Sequence, residues 1–204
     1  MALREEKKRA TRTALADTAM VMFAERGFEK VTVAEIARAA NVSVNTAFNY
    51  FPTKEDLFFD RQDEVIDRLA RAVRERADGE SAAAAVRRVF LDELARDEPT
   101  LGLSTAAIPF WRMIDGSPAL QARLRRLNEE SEAALADSLT AAMGTGDSDP
   151  APRLLAAVLA GVDRALHAEI RRGILAGENP EVVRARVEDA ATHGFDRVAA
   201  SLSG

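Results

Sequence analysis

The chain has 204 residues, 47% of them hydrophobic but only 5% aromatic, and a formal net charge of −5. This is enough for one generous domain, or a small module on a larger one, with a real core. It holds no cysteine for a disulfide framework or thiolate zinc cluster, no apolar run near the roughly 18 residues that cross a bilayer, and no apolar signal core after its charged start "MALREEKKRATR".

The sequence therefore reads as a cytoplasmic protein with no membrane partner. Charge is unevenly placed. Residues 1–12 carry Arg4, Lys7, Lys8, Arg9 and Arg12 against Glu5 and Glu6, whereas residues 61–204 carry 19 basic and 24 acidic side chains. A basic arm on an acidic body suits a protein that meets a polyanion at one end; a solvated charged tail is the plainer alternative.

Nearly every segment reads as helix. From about Arg4 to Arg26, Leu15, Ala19, Met22 and Phe23 recur at the helical interval. Gly27 ends that helix where a left-handed residue is wanted, and Phe28 is placed to fold back on Phe23. "TVAE" follows as a capping box, Thr32 with Glu35, opening a short helix to Ala40 with Ile36 and Ala37 facing inward. Asn41 tolerates a tight turn, Ser43 caps a third helix from Val44 to Tyr50, and Pro52 stops it. Thr53 then caps a long fourth helix, Lys54 to Ala77. Further helices are expected at about 81–96, 101–115, 118–143, 152–176 and 181–202. Asp78-Gly79, Ser117-Pro118, "GTGDSDPAP" and Asn179-Pro180 serve as punctuation. The expected fold is all-α, divided into residues 1–53 and 54–204.

The segment "NVSVNTAFNYFPTKEDLF" decides the function. Two short helices joined by a tight turn, with Ala37 letting them cross closely, form a helix-turn-helix whose second helix enters a major groove. Ala47 and Phe51 lie on the side that joins Ile36 and Val42. Val44, Asn45, Phe48 and Asn49 lie away from it. Asn can pair bidentately with adenine, and Val44 and Phe48 can pack on thymine methyls. Thr46, Tyr50 and Lys54 can reach phosphates, which sets register without reading sequence. The alternative is that the asparagines are solvated surface polars and the aromatics are all core.

Residues 8–59, "ALADTAMVMFAERGFEKVTVAEIARAANVS" with "VNTAFNYFPTKEDLF" above all, resemble the DNA-binding domain of the tetracycline-repressor (TetR) family. The spacing from Phe23 through Gly27-Phe28, Thr32, Ile36-Ala37, Val42-Ser43, Thr46, Tyr50-Phe51 to Lys54 and Leu57 agrees throughout. The resemblance implies that Thr32 and Thr46 touch the DNA backbone, Val44 and Asn45 face bases, and Tyr50 and Lys54 hold phosphates. Phe48 departs from a usual tyrosine and Asn41 from a common glycine. Val33 and Ala34 offer no donors, so specificity falls to the third helix, with Lys7, Lys8, Arg9 and Arg12 of the arm contributing.

The resemblance also implies a homodimer on a palindromic operator. Leu155, Val158, Leu159, Val162, Leu166 and Ile170 form one stripe for it. Val183, Val187, Ala190, Ala191, Val198 and Leu202 form another, with Gly194 allowing close approach. Both stripes could equally face their own core. A small-molecule effector, apolar or aromatic, would occupy the middle helices. Its candidate lining is Ile108, Phe110, Trp111 and Met113 with Phe90, Leu94 and Leu139, and Pro109 is expected to kink or interrupt that helix. Each of these could instead be ordinary core, and His167 either a satisfied interior histidine or a ligand contact. The long fourth helix is the expected lever by which an effector shifts DNA affinity.

Two histidines without cysteine give no convincing metal site. No phosphate loop or nucleophile elbow is present, and the carboxylates read as helix-surface charges. No enzyme, metal or cofactor is expected. The remaining rival is a helical interaction protein whose helix-turn-helix no longer binds DNA.

Overall fold

The computed structural model describes residues 2–146 and 148–201, with side chains from residue 5 to residue 200 apart from 147. Among them there are ten α-helices and no strand. The helices are α1 (Ala2–Arg26), α2 (Val33–Ala39), α3 (Val44–Tyr50), α4 (Lys54–Phe58), α5 (Gln62–Arg74), α6 (Ala82–Ala95), α7 (Ile108–Gly116), α8 (Pro118–Met143), α9 (Ala151–Leu175) and α10 (Pro180–Ser201). The chain forms two compact units: Met1–Gln62 with Met113–Arg123, and Asp63–Arg112 with Leu124–Gly204.

The local signals explain most helix ends in the first unit. Gly27 adopts φ 84°, ψ 147°, an extended region with positive φ that glycine alone enters freely, rather than the expected left-handed helical one. Phe28 does fold back, its ring 5.0 Å from that of Phe23. Asn41 takes φ 56° in the turn. The boxes Thr32–Glu35 and Thr53–Asp56 both form, and Ser43 accepts from the Thr46 amide. Leu15, Ala19, Phe23, Ile36, Ala37, Ala47, Phe51 and Leu57 are fully buried. Segment 113–123 is fastened into the same unit. Ser117 Oγ donates to Glu29 Oε1 at 2.6 Å, and Arg123 pairs with Asp56 at 3.2 Å and donates to Gln62 Oε1 at 2.6 Å. The unit therefore extends past the expected boundary at residue 53.

Two expected helices are corrected. The long fourth helix, 54–77, is broken: α4 ends at Phe58, whose follower Phe59 leaves helical geometry at φ −100°, ψ 54°, and α5 begins at Gln62. The cause lies in side-chain seating. Phe58 packs on Phe28 and Phe59 on Phe58, and Arg12 takes the Asp60 carbonyl that a continuous helix would use. A single rigid lever from residue 54 to 77 is therefore not available. The expected helix 101–115 is shorter. Pro99–Leu101 and Thr105–Ala107 are 3-10 turns, and α7 starts at Ile108. Pro109 thus sits in a first turn, where its missing amide hydrogen is not needed, and it neither kinks nor interrupts the helix.

In the second unit α10 packs along α9 and α6. Gly194 lies close to α9, a Cβ there coming 3.3 Å from Val162 Cγ1. Gly173 is tighter: a Cβ would stand 2.6 Å from Val183 Cγ2 and 3.0 Å from an Arg186 nitrogen. Because Val183 is fully buried and cannot retreat, Gly173→Ala should cost about 1–3 kcal/mol through overpacking. Thermal unfolding would show a lowered Tm, and an unchanged or raised one would mean that α9 and α10 can part at little cost.

Candidate nucleic-acid interface

Helix α3 owes its placement to one buried edge. Ala47 and Phe51 are 0% exposed, and the Val42 amide bonds to the Ala37 carbonyl across the turn, tying α3 to α2. The opposite edge is open. Val44 and Phe48 are 41% and 45% exposed, and Asn45 and Asn49 are also exposed. A seven-residue helix in water gains little from showing an aromatic ring and a valine side by side, so this apolar-plus-amide face is the feature of the unit that needs a partner. The aromatics accordingly divide: Phe51 and Phe58 are core, Tyr50 and Phe59 half-buried, and Phe48 outward.

The residues expected beside this face fall into three groups. Lys7, Lys8 and Arg9 are exposed along α1. Thr32 and Thr46 have hydroxyls at helix starts: Thr32 Oγ1 donates to Glu35 at 2.7 Å, and Thr46 Oγ1 shares a 2.7 Å bond with Ser43. Glu35 is held at a pKa of about 2 by Thr32 and Arg26, so the α2 cap stays ionised. Arg12 and Lys54 differ from expectation. Arg12 donates to the Tyr50 carbonyl (3.2 Å) and the Asp60 carbonyl (2.8 Å) and stacks over Phe51 at 4.4 Å. It fastens α1 to the end of α3 and to the turn after α4, rather than lying as a loose arm residue, because the carbonyls of Tyr50 and Asp60 at these helix ends accept its guanidinium hydrogens. Lys54 Nζ bonds the Phe28 carbonyl at 3.0 Å and lies 4.2 Å over its ring, leaving further ammonium hydrogens for a phosphate.

The remaining expected residues lie largely in the second unit. Phe90, Leu94, Trp111 and Leu139 are buried, and Ile108, Phe110 and His167 half-buried; Met113, also half-buried, belongs to the first unit. The Phe110 and Trp111 rings meet edge-on at 5.2 Å, and Gly102 at φ 67° leaves room for the indole, which a Cβ would strike at 2.6 Å. Of the stripe residues, Leu159, Leu166, Ile170, Val183, Val187 and Ala191 are buried within the chain itself. Leu155, Val162 and Val198 are half-buried and Val158 is 49% exposed. The exposed edge of α9 lies one register over and adds Leu154 at 64%.

One cluster contradicts the reading of all carboxylates as helix-surface charges. Glu93 and Asp163 are buried around Arg68, which donates to Glu93 Oε2 at 2.8 Å and to Asp163 Oδ2. Burial works to raise Asp163, and the Arg68 guanidinium outweighs it and holds the carboxyl below its ordinary range. Glu93, with a weaker hold on Arg68, is pushed up by burial. The available signal was Asp163 within the apolar stripe of α9, a charge at a core position that needs a buried partner.

Comparison with known proteins agrees with the geometry. Residues 15–60 match the family described as bacterial regulatory proteins, tetR family. The chain is 32% identical over 171 residues to the HTH-type transcriptional regulator TcmR of Streptomyces glaucescens, covering 82% of this chain and 76% of that protein. Its fold resembles a TetR-family regulator from Streptomyces coelicolor A3 (TM-score 0.50, 24% identity, 91% and 94% covered) and GusR of Salmonella enterica (TM-score 0.51, 18% identity, 92% and 96% covered). None of the described helices is long and apolar enough to cross a membrane. A helix-turn-helix with an open apolar and amide face, a matching family model over it and a relative aligned along most of both chains lead to one conclusion: the chain belongs to the TetR family of DNA-binding transcriptional regulators, and is not an enzyme.

Proposed function

We propose that the protein is a ligand-responsive repressor that binds a palindromic operator as a homodimer. The observation that carries this reading is the α3 face: Val44, Asn45, Phe48 and Asn49 open to solvent on a helix whose back is wholly buried. In that role Asn45 and Asn49 hydrogen-bond base edges, and Val44 and Phe48 pack on thymine methyls. Thr32, Thr46, Tyr50 and Lys54 hold the sugar-phosphate backbone, and Lys7, Lys8 and Arg9 add charge. Two such helices read enough base pairs to be selective, and the exposed Leu154 and Val158 of α9 are the surface a second copy would cover, with the half-buried Leu155 and Val162 beside them. The effector binds in the second unit, near Phe90, Leu94, Phe110, Trp111, Leu139 and His167. It lowers operator occupancy by binding better to the arrangement that does not fit DNA.

Selection of bound duplexes from a random pool, followed by gel shift over a salt series, tests the reading. Affinity should fall steeply as salt rises, because phosphate contacts release counterions. Asn45→Ala should lose about 1–3 kcal/mol of discrimination at one base position per half-site, with affinity for random duplex unchanged. A selected pool without two-fold symmetry, or an Asn45→Ala protein as selective as the parent, would overturn it.

A further inference from the structure

The two ends of α3 are held by different means. At the first turn, with Val44 and Asn45, Ser43 Oγ accepts from the Thr46 amide and the Val42 amide bonds the Ala37 carbonyl, so that turn is fixed from the α2 side. At the other end the Phe51 amide closes on the Ala47 carbonyl at 2.9 Å, and the next two residues do not repeat that bond. Pro52 has no amide hydrogen, and the Thr53 amide donates to Asp56 Oδ2 at 3.0 Å. A distant donor serves instead. Arg12 of α1 donates from Nη1 to the Tyr50 carbonyl at 3.2 Å and from Nη2 to the Asp60 carbonyl at 2.8 Å. The flat of its guanidinium lies 4.4 Å over the fully buried Phe51 ring. One rigid fork thus joins α1, the exit of α3 and the turn after α4. Phe48 and Asn49, the exposed residues of the second turn, directly precede the carbonyl it holds.

We infer that Arg12 is a positioning residue for base reading: it sets the second turn of α3 against α1 and the turn after α4, and so fixes where Phe48 and Asn49 meet the bases. The inference rests on the operator reading above and deepens it. A guanidinium that contacts phosphate adds affinity for any duplex and sharpens none. One that holds the exit of a two-turn helix decides which bases are preferred at one end of the half-site.

Two variants of the full-length protein decide it. Arg12→Lys keeps the charge, but an ammonium is a single point that does not present two parallel N–H groups to carbonyls on two segments. Arg12→Gln removes the charge as well. Each is expected to unfold cooperatively, somewhat below the wild type. In selection from a random pool, both should lose about tenfold of their preference, the scale of one base contact, at the positions that Asn49→Ala relaxes. The positions that Asn45→Ala relaxes should stay selective, and affinity for random duplex should not change. An unchanged base profile, equal relaxation at the Asn45 positions, or an Asn49→Ala profile identical to the wild type overturns the inference. So does weaker binding of random duplex by Arg12→Gln with a salt slope shallower by about one, the mark of a phosphate contact. Loss of the cooperative transition in both variants makes Arg12 a residue of the fold alone and also overturns it. A wild-type pool with no preferred sequence is a failure of the operator reading, whereas a selective wild type matched by an equally selective Arg12→Lys is a failure of this one.

Discussion

Phe58→Ala should destabilise the DNA-binding unit by about 3–5 kcal/mol, the usual cost of emptying a buried phenylalanine site. Phe58 is 2% exposed, and its ring stands 6.2 Å from Phe23, 5.9 Å from Phe28 and 5.0 Å from Phe59. No other residue type in the unit can refill that volume, because the surrounding rings are themselves fixed by α1 and the Phe59–Arg61 break. Against a total stability of roughly 5–15 kcal/mol, such a loss leaves the unit largely open. Denaturant unfolding should show a lowered midpoint, proteolysis should cut first within residues 1–62, and operator binding should disappear. Phe48→Ala is the matched control. At 45% exposure it should change stability by no more than about 0.5 kcal/mol while weakening operator binding. If the two variants unfold alike, the division of the aromatics into core and contact is wrong.

Arg68→Met should cost about 3–5 kcal/mol, because it leaves two buried carboxylates facing each other with no cation between them. Its pH dependence follows from the direction of the shifts. In the parent, Asp163 is held below its ordinary range by Arg68, so its contribution is present above the unfolded-state value, about 3.9, and is lost as pH falls. Without Arg68, burial and mutual repulsion raise both carboxyls above their unfolded values, so proton uptake favours the folded state. The deficit of the variant should therefore be greatest at neutral pH and above, and shrink as pH falls below about 5. Thermal unfolding at pH 5 and pH 8 measures it; a deficit constant with pH would mean that Arg68 does not set the ionisation of Glu93 and Asp163. Replacing Arg68, Glu93 and Asp163 together by apolar residues of similar volume should restore much of the stability, since a buried ion cluster gains little net free energy over good packing.

The two variants also mark how far the sequence could be read. Local chemistry carries its own evidence. Thr32 with Glu35, Ser43, Asn41 in the turn, Ser117-Pro118 and Asn179-Pro180 each satisfy or end a backbone within a few residues, and every one acts in the structure as its residue type demands. The outward face of α3 was legible for the same reason: a seven-residue helix with one buried edge has only one register. What stayed hidden depends on residues far apart in the chain. The break after Phe58 arises from Phe28 and Arg12, and between α9 and α10 the tighter glycine proved to be Gly173 rather than Gly194 because Val183 happens to face it. Six of the stripe residues on α9 and α10 turned inward, because an apolar stripe states only that a face is covered and not by which helix.

The amino-acid sequence by itself determined the all-α class, the capped short helices and the helix-turn-helix with its open face, since hydrogen bonds and periodicity over three or four residues suffice for these. Only the tertiary structure decided that Arg12 and Lys54 turn inward, that residues 113–123 join the first unit, and that Arg68 gathers Glu93 and Asp163. Those outcomes are set by packing between segments 25 to 95 residues apart, where each side chain's burial depends on a partner that no local pattern names.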